Sequence, residues 1–125
     1  MAAEDIVNEF MERIQQMDMD AACELVSDDV EYDNVPVGKV TGPEGIKNIL
    51  GPMVGMFDEL DWVIHRQIAS DTLVVNERTD RFGKDGKWME LPVAGVFEVR
   101  DNKITLWRDY FDLTSMTNQL TELAG

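Results

Sequence analysis

The first third of the chain has the apolar spacing of two helices followed by a strand. Near the amino terminus the apolar side chains recur at intervals typical of an amphipathic helix, at Ile6, Val7, Phe10, Ile14 and Met17. A second short helix is predicted from Asp20 to Val26. The pattern then alternates, which predicts a strand from about Val30 to Val35 with Tyr32 and Asn34 on the same face as Val30.

A loop and a third helix are predicted next. The loop is indicated by the turn-forming residues Pro36, Gly38, Gly42 and Pro43. Thr41 stands where a helix cap is expected, and Pro43 suits the first turn. The apolar face of this helix comprises Ile46, Ile49, Leu50 and Val54. Gly51 and Pro52 predict a break or kink within it.

The second half of the chain has the pattern of strands joined by short turns. The candidates are Trp62 to Ala69, Leu73 to Phe82, Trp88 to Val99 and Ile104 to Asp112. Their connections are too short for parallel crossovers, so an antiparallel meander is expected. Thr114 to Leu123 predicts a closing helix. Together these elements predict a single α+β domain over residues 1–125, in which a curved antiparallel (mixed) sheet packs against the amino-terminal helices and leaves a cone-shaped pocket.

The acidic composition limits the possible partners. The formal net charge of −14 would repel nucleic acid and anionic membranes, so neither is expected as a partner. Met1 to Phe10 has neither the basic region nor the apolar run of a signal peptide or membrane span, and a cytoplasmic location is therefore expected. Cys23 is the single cysteine and His65 the single histidine, so no internal disulfide and no metal site are predicted.

Two of the strands contain charged residues on a face that is otherwise apolar. Since strand side chains repeat every second residue, one strand presents Val74, Asn76, Arg78, Asp80 and Phe82 together, and the last presents Trp107, Asp109 and Phe111. One arginine and two aspartates are therefore expected in one aromatic pocket. The ordinary alternative is a surface ladder of opposite charges on an edge strand, which the aromatic neighbours of Asp109 weaken. For Tyr32 and Asn34 the alternative is a core tyrosine and a turn residue before Pro36.

The opposite parity of these strands is apolar. It includes Leu73, Val75, Ile104, Leu106 and Tyr110, and residues 91–97 are mostly apolar on both parities. A monomer would expose this patch to water, which soluble proteins seldom do on such a scale. A two-fold contact with a second copy would cover it, so a homodimer is predicted.

The charged runs resemble a known family. The runs Glu77-Arg78-Thr79-Asp80, Gly95-Val96-Phe97 and Lys103 to Asp112 resemble the limonene-1,2-epoxide hydrolase family in order and spacing. Tyr32 and Asn34, two residues apart and upstream, match the same family. The resemblance covers nearly the whole chain, and its most specific part is Arg-x-Asp combined with Trp-Arg-Asp-Tyr-Phe-Asp.

The resemblance implies a cone-shaped fold of the nuclear transport factor 2 (SnoaL-like) type, a homodimer, and hydrolysis of an epoxide to a vicinal diol without a cofactor. Carried over by position, Asp109 would be the base that activates water, and Tyr32 and Asn34 would hold that water. Asp80 would be the acid that protonates the epoxide oxygen, and Arg78 would bridge the two carboxylates.

The residue types suit this reaction on chemical grounds as well. Opening an epoxide with water needs one ionised and one protonated carboxyl group at the same pH. Two aspartates near one arginine can share a single proton, which makes the trio neutral and tolerable in an apolar pocket. The predicted substrate is a small hydrophobic epoxide. The walls of its pocket are predicted to include Trp107, Phe111, Val74 and Phe82.

Two other functions remain open at this stage. A ketosteroid isomerase-like or dehydratase-like enzyme on the same fold would use a tyrosine and an aspartate but would not need Arg78 paired with Asp80. A non-catalytic dimer that binds a hydrophobic ligand would tolerate the loss of one carboxylate. An epoxide hydrolase of the α/β type is not expected, because the chain has no G-x-S-x-G elbow and its one histidine has no partners.

Overall fold

The computed structural model describes all residues from 1 to 125. It contains four helices and six strands. The helices are α1 (Ala3–Gln15), α2 (Met19–Cys23), α3 (Gly42–Gly55) and α4 (Leu113–Ala124). The strands are β1 (Val26–Asn34), β2 (Gly38–Thr41), β3 (Glu59–Ala69), β4 (Leu73–Lys84), β5 (Lys87–Arg100) and β6 (Lys103–Tyr110). The order of these elements is the one that the sequence predicts, apart from the additional strand β2.

The six strands form one mixed sheet in the order β2, β1, β6, β5, β4 and β3. Strands β3 to β6 form the predicted antiparallel meander. Strand β1 pairs with the free side of β6 in parallel, which places Tyr32 beside Trp107 and Asn34 beside Asp109. This pairing brings the two candidate residues of the first strand next to the candidate aspartate of the last strand.

Helix α1 covers the inner face of the sheet. Its buried residues include the predicted apolar stripe of Ile6, Val7, Phe10 and Ile14. The edge of the Phe10 ring contacts Trp107 with 5.1 Å between ring centroids, and the Tyr32 ring stacks on the same indole at 4.2 Å. Aromatic pairs of this kind contribute about 0.5–1.5 kcal/mol each beyond their burial. The aromatic cluster therefore ties the amino-terminal helix to β1 and β6.

The loop and the third helix differ from the prediction. Residues 38–41, expected in a loop, form the edge strand β2, which is too short to show an alternating pattern in the sequence. A break or kink is predicted at Gly51 and Pro52, but the break does not occur, because helix α3 continues through both residues. Pro52 has no N–H group to bond the backbone carbonyl four residues earlier. Pro52 is exposed, so this carbonyl lies on the solvent side of the helix. The opposite side is held against the sheet by Ile46, Leu50 and Val54, which are buried.

The outer face of the sheet differs from the prediction at one position. Leu73, Val75 and Tyr110 are 40%, 39% and 47% exposed, as expected for an apolar outer patch. Ile104 is fully buried instead. The pairing of β5 with β6 shifts between Leu106 and Ile104, and an extra residue in a strand reverses the alternation beyond it. The prediction that Ile104 belongs to the outer patch is therefore wrong.

Helix α4 covers a strand edge that β6 leaves open. The last residue of β6, Tyr110, pairs with Ala94, so the first half of β5 has no strand on that side. The Gln119 side chain accepts a hydrogen bond from the Glu90 amide at 2.8 Å and donates one to the Glu90 carbonyl at 2.9 Å. These bonds satisfy backbone groups that an open edge would expose. None of the helices is both long enough and apolar enough to cross a membrane.

Candidate active site

A polar row crosses the inner face of the sheet. The strand register places Asn34 of β1 beside Asp109 of β6, Asp109 opposite Gly95 of β5, and Gly95 opposite Asn76 of β4. Neighbouring strands lie about 4.8 Å apart, so β4 and β6 are separated by roughly twice that distance. Gly95 occupies the middle of the row without a side chain. It therefore leaves room above β5 through which a side chain of β4 can reach β6.

Arg78 of β4 fills that room. A Cβ atom at position 95 would overlap Nη1 of Arg78 and would lie 2.8 Å from Oδ1 of Asp109 and 3.0 Å from Oδ1 of Asn76. A glycine inside a strand often marks such a close approach. The guanidinium can therefore contact both Asp109 and Asn76, on either side of residue 95, only because that residue is a glycine.

The Arg78 guanidinium bridges two carboxylates. Its Nε and Nη2 donate to the two oxygens of Asp80 at 2.9 and 3.0 Å, which is a bidentate pair. Nη2 also donates to Oδ2 of Asp109 at 2.9 Å. All three residues are buried, with Asp80 and Asp109 only 4% and 5% exposed. The arrangement joins β4 to β6 through a charged contact in the interior of the protein.

Burial and mutual charge set the protonation of this group. Burial raises the pKa of the Asp80 carboxyl against the lowering effect of Arg78, and the nearby Asp109 raises it further. Burial alone would lower the pKa of Arg78, but the charges of Asp109 and Asp80 raise it, so the guanidinium stays protonated. The site thus combines a carboxyl group that tends to keep its proton with a fixed positive charge.

One further hydrogen bond is made to Asp109, and another joins two residues of the neighbouring strand β1. Trp107 Nε1, from the same face of β6, donates to Oδ1 of Asp109 at 3.0 Å. Asn34 Nδ2 donates to the Tyr32 hydroxyl oxygen at 3.0 Å. Burial, with a contribution from Asp109, raises the pKa of Tyr32, so its hydroxyl keeps its proton. Because that oxygen accepts from Asn34, its hydrogen can be donated elsewhere.

Asp80 and Asp109 line one apolar pocket of about 170 Å³, and Arg78 lies beneath them without lining it. Eleven of its 14 lining residues are hydrophobic, and the other three are Asn34, Asp80 and Asp109. Tyr32 is also among the lining residues. An apolar cavity of about 150 Å³ accommodates benzene. The pocket therefore suits a small hydrophobic molecule with one polar reacting centre.

The four predicted wall residues divide into two pairs. Phe82 and Phe111 line the pocket. Val74 and Trp107 do not, because both are fully buried in a lower row with Phe97, which helix α1 covers. Strand alternation identifies the correct face of the sheet but not the height at which the covering helix ends. The prediction that Val74 and Trp107 are pocket walls is therefore wrong.

Several site residues do not follow from the sequence pattern. Trp62 of β3 and Leu91 of β5 both line the pocket. They are the residues that pair with Asp80 on the two neighbouring strands. Asn76 lies on the predicted face, but the sequence pattern assigns no role to it. In the structure it accepts a hydrogen bond from Arg78. Residues of α3 and α4 also reach the pocket. Of these missed features, the sequence indicates only the close approach of strands and side chains at Gly95, since a glycine within a strand often marks such an approach.

His65 and Cys23 lie outside the pocket. No group of three or more His, Cys, Asp and Glu side chains is arranged to hold a metal ion. His65 is exposed and lies 2.8 Å from the Thr79 hydroxyl. Cys23 is a buried free cysteine packed in the core. The buried charged side chains, Arg78, Asp80 and Asp109, lie together at the pocket.

The chain is similar to known proteins over most of its length. The family described as "Limonene-1,2-epoxide hydrolase catalytic domain" matches residues 1–122. The epoxide hydrolase EphG of Mycobacterium tuberculosis is 36% identical over 110 residues, which are 88% of this chain and 73% of that protein. The family match includes every residue of the polar row, so the likeness is not confined to a local motif.

Solved structures agree with the fold. An LEH-like epoxide hydrolase of M. tuberculosis has a TM-score of 0.78 and 35% identity, over 94% of this chain and 88% of that one. A putative SnoaL-like polyketide cyclase from Shewanella putrefaciens has a TM-score of 0.80 at 20% identity, over 95% of this chain and 85% of that one, and supports the fold alone. The expected SnoaL-like α+β fold is confirmed. The match over residues 1–122 and the identity of 36% show that the chain belongs to the limonene-1,2-epoxide hydrolase family.

Proposed function

We propose that this epoxide hydrolase converts a small hydrophobic epoxide to a vicinal diol in one step, by direct attack of water and without a cofactor. The observation that carries the proposal is the pair of buried carboxyl groups joined by Arg78 at the polar end of an apolar pocket. The named epoxide hydrolases among the relatives support the reaction class.

In this proposal Asp109 is the general base. Each of its oxygens accepts one hydrogen bond, from Trp107 and from Arg78, and each has a further lone pair that can accept a proton from water. The Tyr32 hydroxyl can donate to that water, and the carbonyl oxygen of Asn34 can accept from it. As Asp109 takes one proton, the water oxygen attacks an epoxide carbon.

Asp80 is the general acid in the same step. Burial favours its protonated form, and it lines the pocket. Its proton passes to the epoxide oxygen while the carbon–oxygen bond breaks, so no free alkoxide forms. One hydroxyl of the diol thus comes from the epoxide and the other from water. Arg78 stays charged and balances whichever aspartate is ionised; return of the proton from Asp109 to Asp80 restores the site.

The isomerase-like or dehydratase-like alternative is less well supported. Such a reaction has no need for a buried guanidinium that holds two carboxylates. A non-catalytic role fits less well still, because burying three charged side chains beside an apolar pocket is costly and contributes little to stability. Buried ionisable groups with shifted pKa values are more typical of functional sites. Both alternatives predict that no diol is formed from any epoxide.

We also propose that the protein is a homodimer joined through the outer face of the sheet. Leu73, Val75 and Tyr110 are partly exposed there, together with Val63 on β3 and the exposed Pro92 and Ala94 on β5. Burying such a patch against a second copy removes apolar surface from water at roughly 25 cal/mol per Å². The pocket opens on the opposite side of the sheet and would stay accessible in this dimer.

Replacing either aspartate by asparagine should nearly abolish hydrolysis. The amide keeps the shape of the side chain but cannot exchange the proton, and we expect kcat to fall by about two to four orders of magnitude in Asp80→Asn and in Asp109→Asn. Diol formation from a panel of small epoxides measures this, with circular dichroism to verify folding. Asp71→Asn, in an exposed turn, is the matched control and should keep wild-type activity. Either active-site variant retaining more than about a tenth of wild-type turnover would contradict the assignment.

The source of the new oxygen atom should be water from the first turnover. An ester intermediate would need a second base to hydrolyse it, usually a histidine, and His65 is exposed and bonded to Thr79. A single turnover with enzyme in excess in oxygen-18 water should give labelled diol, detected by mass spectrometry. An unlabelled first-turnover diol, with the label later found in an aspartate of the protein, would show that the direct mechanism is wrong.

Adding one methyl group at residue 95 should disrupt the site. In Gly95→Ala the new Cβ overlaps Nη1 of Arg78, and we expect a loss of kcat on the order of a hundredfold from the displaced cluster. Overpacking should also lower the free energy of unfolding by about 1–3 kcal/mol. Gly51→Ala is the control, because no atom lies within 4 Å of its added Cβ, and it should leave kcat unchanged. Wild-type kcat in Gly95→Ala would show that the close approach is unimportant.

The homodimer should be visible in solution. Light scattering at micromolar concentration should report twice the 14.2 kDa of one chain. Val75→Asp places a charge in the centre of the outer patch and should shift the protein towards the monomer, because an unpaired charge at an interface is costly. Met56→Asp, at an exposed apolar position on the end of α3, is the control. A wild-type protein that remains monomeric would refute the proposed assembly.

A further inference from the structure

A chain of hydrogen bonds leads from Arg78 away from the pocket to helix α1. Nη1 of Arg78 donates to Oδ1 of Asn76 at 3.0 Å, and Nδ2 of Asn76 donates to Oε1 of Gln67 at 3.1 Å. Nε2 of Gln67 then donates to Oε2 of Glu4 at 3.1 Å and to Oδ1 of Asn8 at 2.9 Å. Every bond has the same direction, from the guanidinium towards the surface.

The two ends of the chain determine this direction. A guanidinium can only donate, and an ionised carboxylate such as Glu4 can only accept. The amide of Asn76 must therefore turn its oxygen to Arg78 and its nitrogen to Gln67. Hydrogen bonds aligned in this way polarise one another, which strengthens the hold of Asn76 on the guanidinium.

Asn76 has no other evident purpose in the fold. It is 2% exposed in the middle of β4 and does not line the pocket. A buried amide at such a position is tolerated only when it is hydrogen-bonded. Its partners are the Arg78 guanidinium and the Gln67 side chain, and the first of these contacts both carboxylates of the site.

The bonds of the guanidinium show what Asn76 adds. Nε and Nη2 bond to the carboxylates of Asp80 and Asp109, and Nη1 bonds to Asn76. The guanidinium is therefore held on two sides, and its plane cannot rotate without breaking a bond in the interior. Without the bond from Nη1 to Asn76, Arg78 could tilt towards Asp80 and release Asp109.

We propose that Asn76, supported by Gln67, is a positioning residue for the acid and base: it fixes the guanidinium so that one nitrogen reaches both aspartates, and it does so without adding a third negative charge. This inference rests on the proposed function. It assigns to Asn76 an effect on the reaction that passes through Arg78, and no contact with the substrate.

The neutrality of Asn76 matters because the charges of the few ionisable groups around it are already balanced. These groups are Arg78 and Asp80 on its own strand, Asp109 on β6, Tyr32 on β1 and, through Gln67 only, Glu4 on α1. Strand β5 contributes no ionisable group at this point, because the residue that pairs with Asn76 is Gly95. One guanidinium and one shared proton balance two aspartates. A carboxylate at position 76 would favour the protonated forms of both aspartates and would shift their shared titration to higher pH.

The first test changes the charge and keeps the shape. In Asn76→Asp we expect both limbs of the pH profile of kcat to move to higher pH by about one unit, because a neighbouring negative charge favours protonated carboxyl groups. Asn118→Asp makes the same change at an exposed position of α4 and should leave the profile in place. A purely structural role for Asn76 would lower the melting temperature without moving the profile. An unmoved profile in folded Asn76→Asp would overturn the proposal.

The second test removes the acceptor without adding charge. In Asn76→Leu we expect kcat, normalised to folded protein, to fall by about ten- to a hundredfold with less than a threefold change in KM, because only the transition-state contacts are misplaced. Gln67→Met should lower kcat less, and it serves if Asn76→Leu does not fold. Asn8→Ala removes one of the two bonds of Gln67 to α1 and leaves the bond to Glu4, so it should keep wild-type kcat. Wild-type kcat in Asn76→Leu, or in Gln67→Met where the former is unfolded, would overturn the proposal.

A readout independent of turnover separates this inference from the proposed function. Nitrogen-15 NMR of the Arg78 side chain should show slowly exchanging Nη1 hydrogens in the wild type. In Asn76→Leu their exchange should be at least about tenfold faster, because the bond that protects them is broken. In Gln67→Met, which removes the support of Asn76 but not the bond itself, exchange should also be faster but by less. If no epoxide is hydrolysed by the wild type, the proposed function fails while this measurement still tests the positioning. Equal exchange rates would show that Asn76 does not hold the guanidinium.

Discussion

A guanidinium with no exposed surface can persist in a protein only if its charge is balanced and its N–H groups are bonded, and Arg78 meets both conditions inside a small sheet. Removing one partner of a buried ion pair typically costs about 3–5 kcal/mol. The surrounding structure follows from this constraint. The register of β4, β5 and β6 brings the carboxylates within reach, and Gly95 gives the side chain its path.

Trp107 links this charged centre to the packing of the core. Its ring lies against Phe10, Tyr32 and Phe97 in the row below the site, and its indole N–H donates to Asp109. The side chain that anchors helix α1 to the sheet therefore also orients a carboxylate of the site. In a domain of 125 residues, a substitution in the aromatic row would disturb stability and chemistry together.

The sequence predicts the composition of the site better than its boundaries. Alternation places Arg78, Asp80 and Asp109 on the inner face, because a two-residue period is a local property of any strand. It cannot give the register between strands, which depends on turns and bulges, and so it does not reveal that Gly95 stands between Asp109 and Asn76. For the same reason it places Ile104 on the wrong face. It also places Val74 and Trp107 among the pocket walls, although helix α1 covers their row. The helices that close the pocket lie far from these strands in the sequence, and no local pattern indicates where they end.

The pocket joins two sets of residues that come from different parts of the chain. The reacting groups project from β1, β4 and β6 and are fixed by a dense network of bonds. The rim is formed by single side chains of other elements, such as Val37, Ile49, Met53 and Met116, and Val37 and Ile49 are 59% and 42% exposed. Changes at the rim would meet little resistance from packing. A protein built in this way can acquire selectivity for a new substrate shape, or lose an old one, while its reaction chemistry is inherited unchanged.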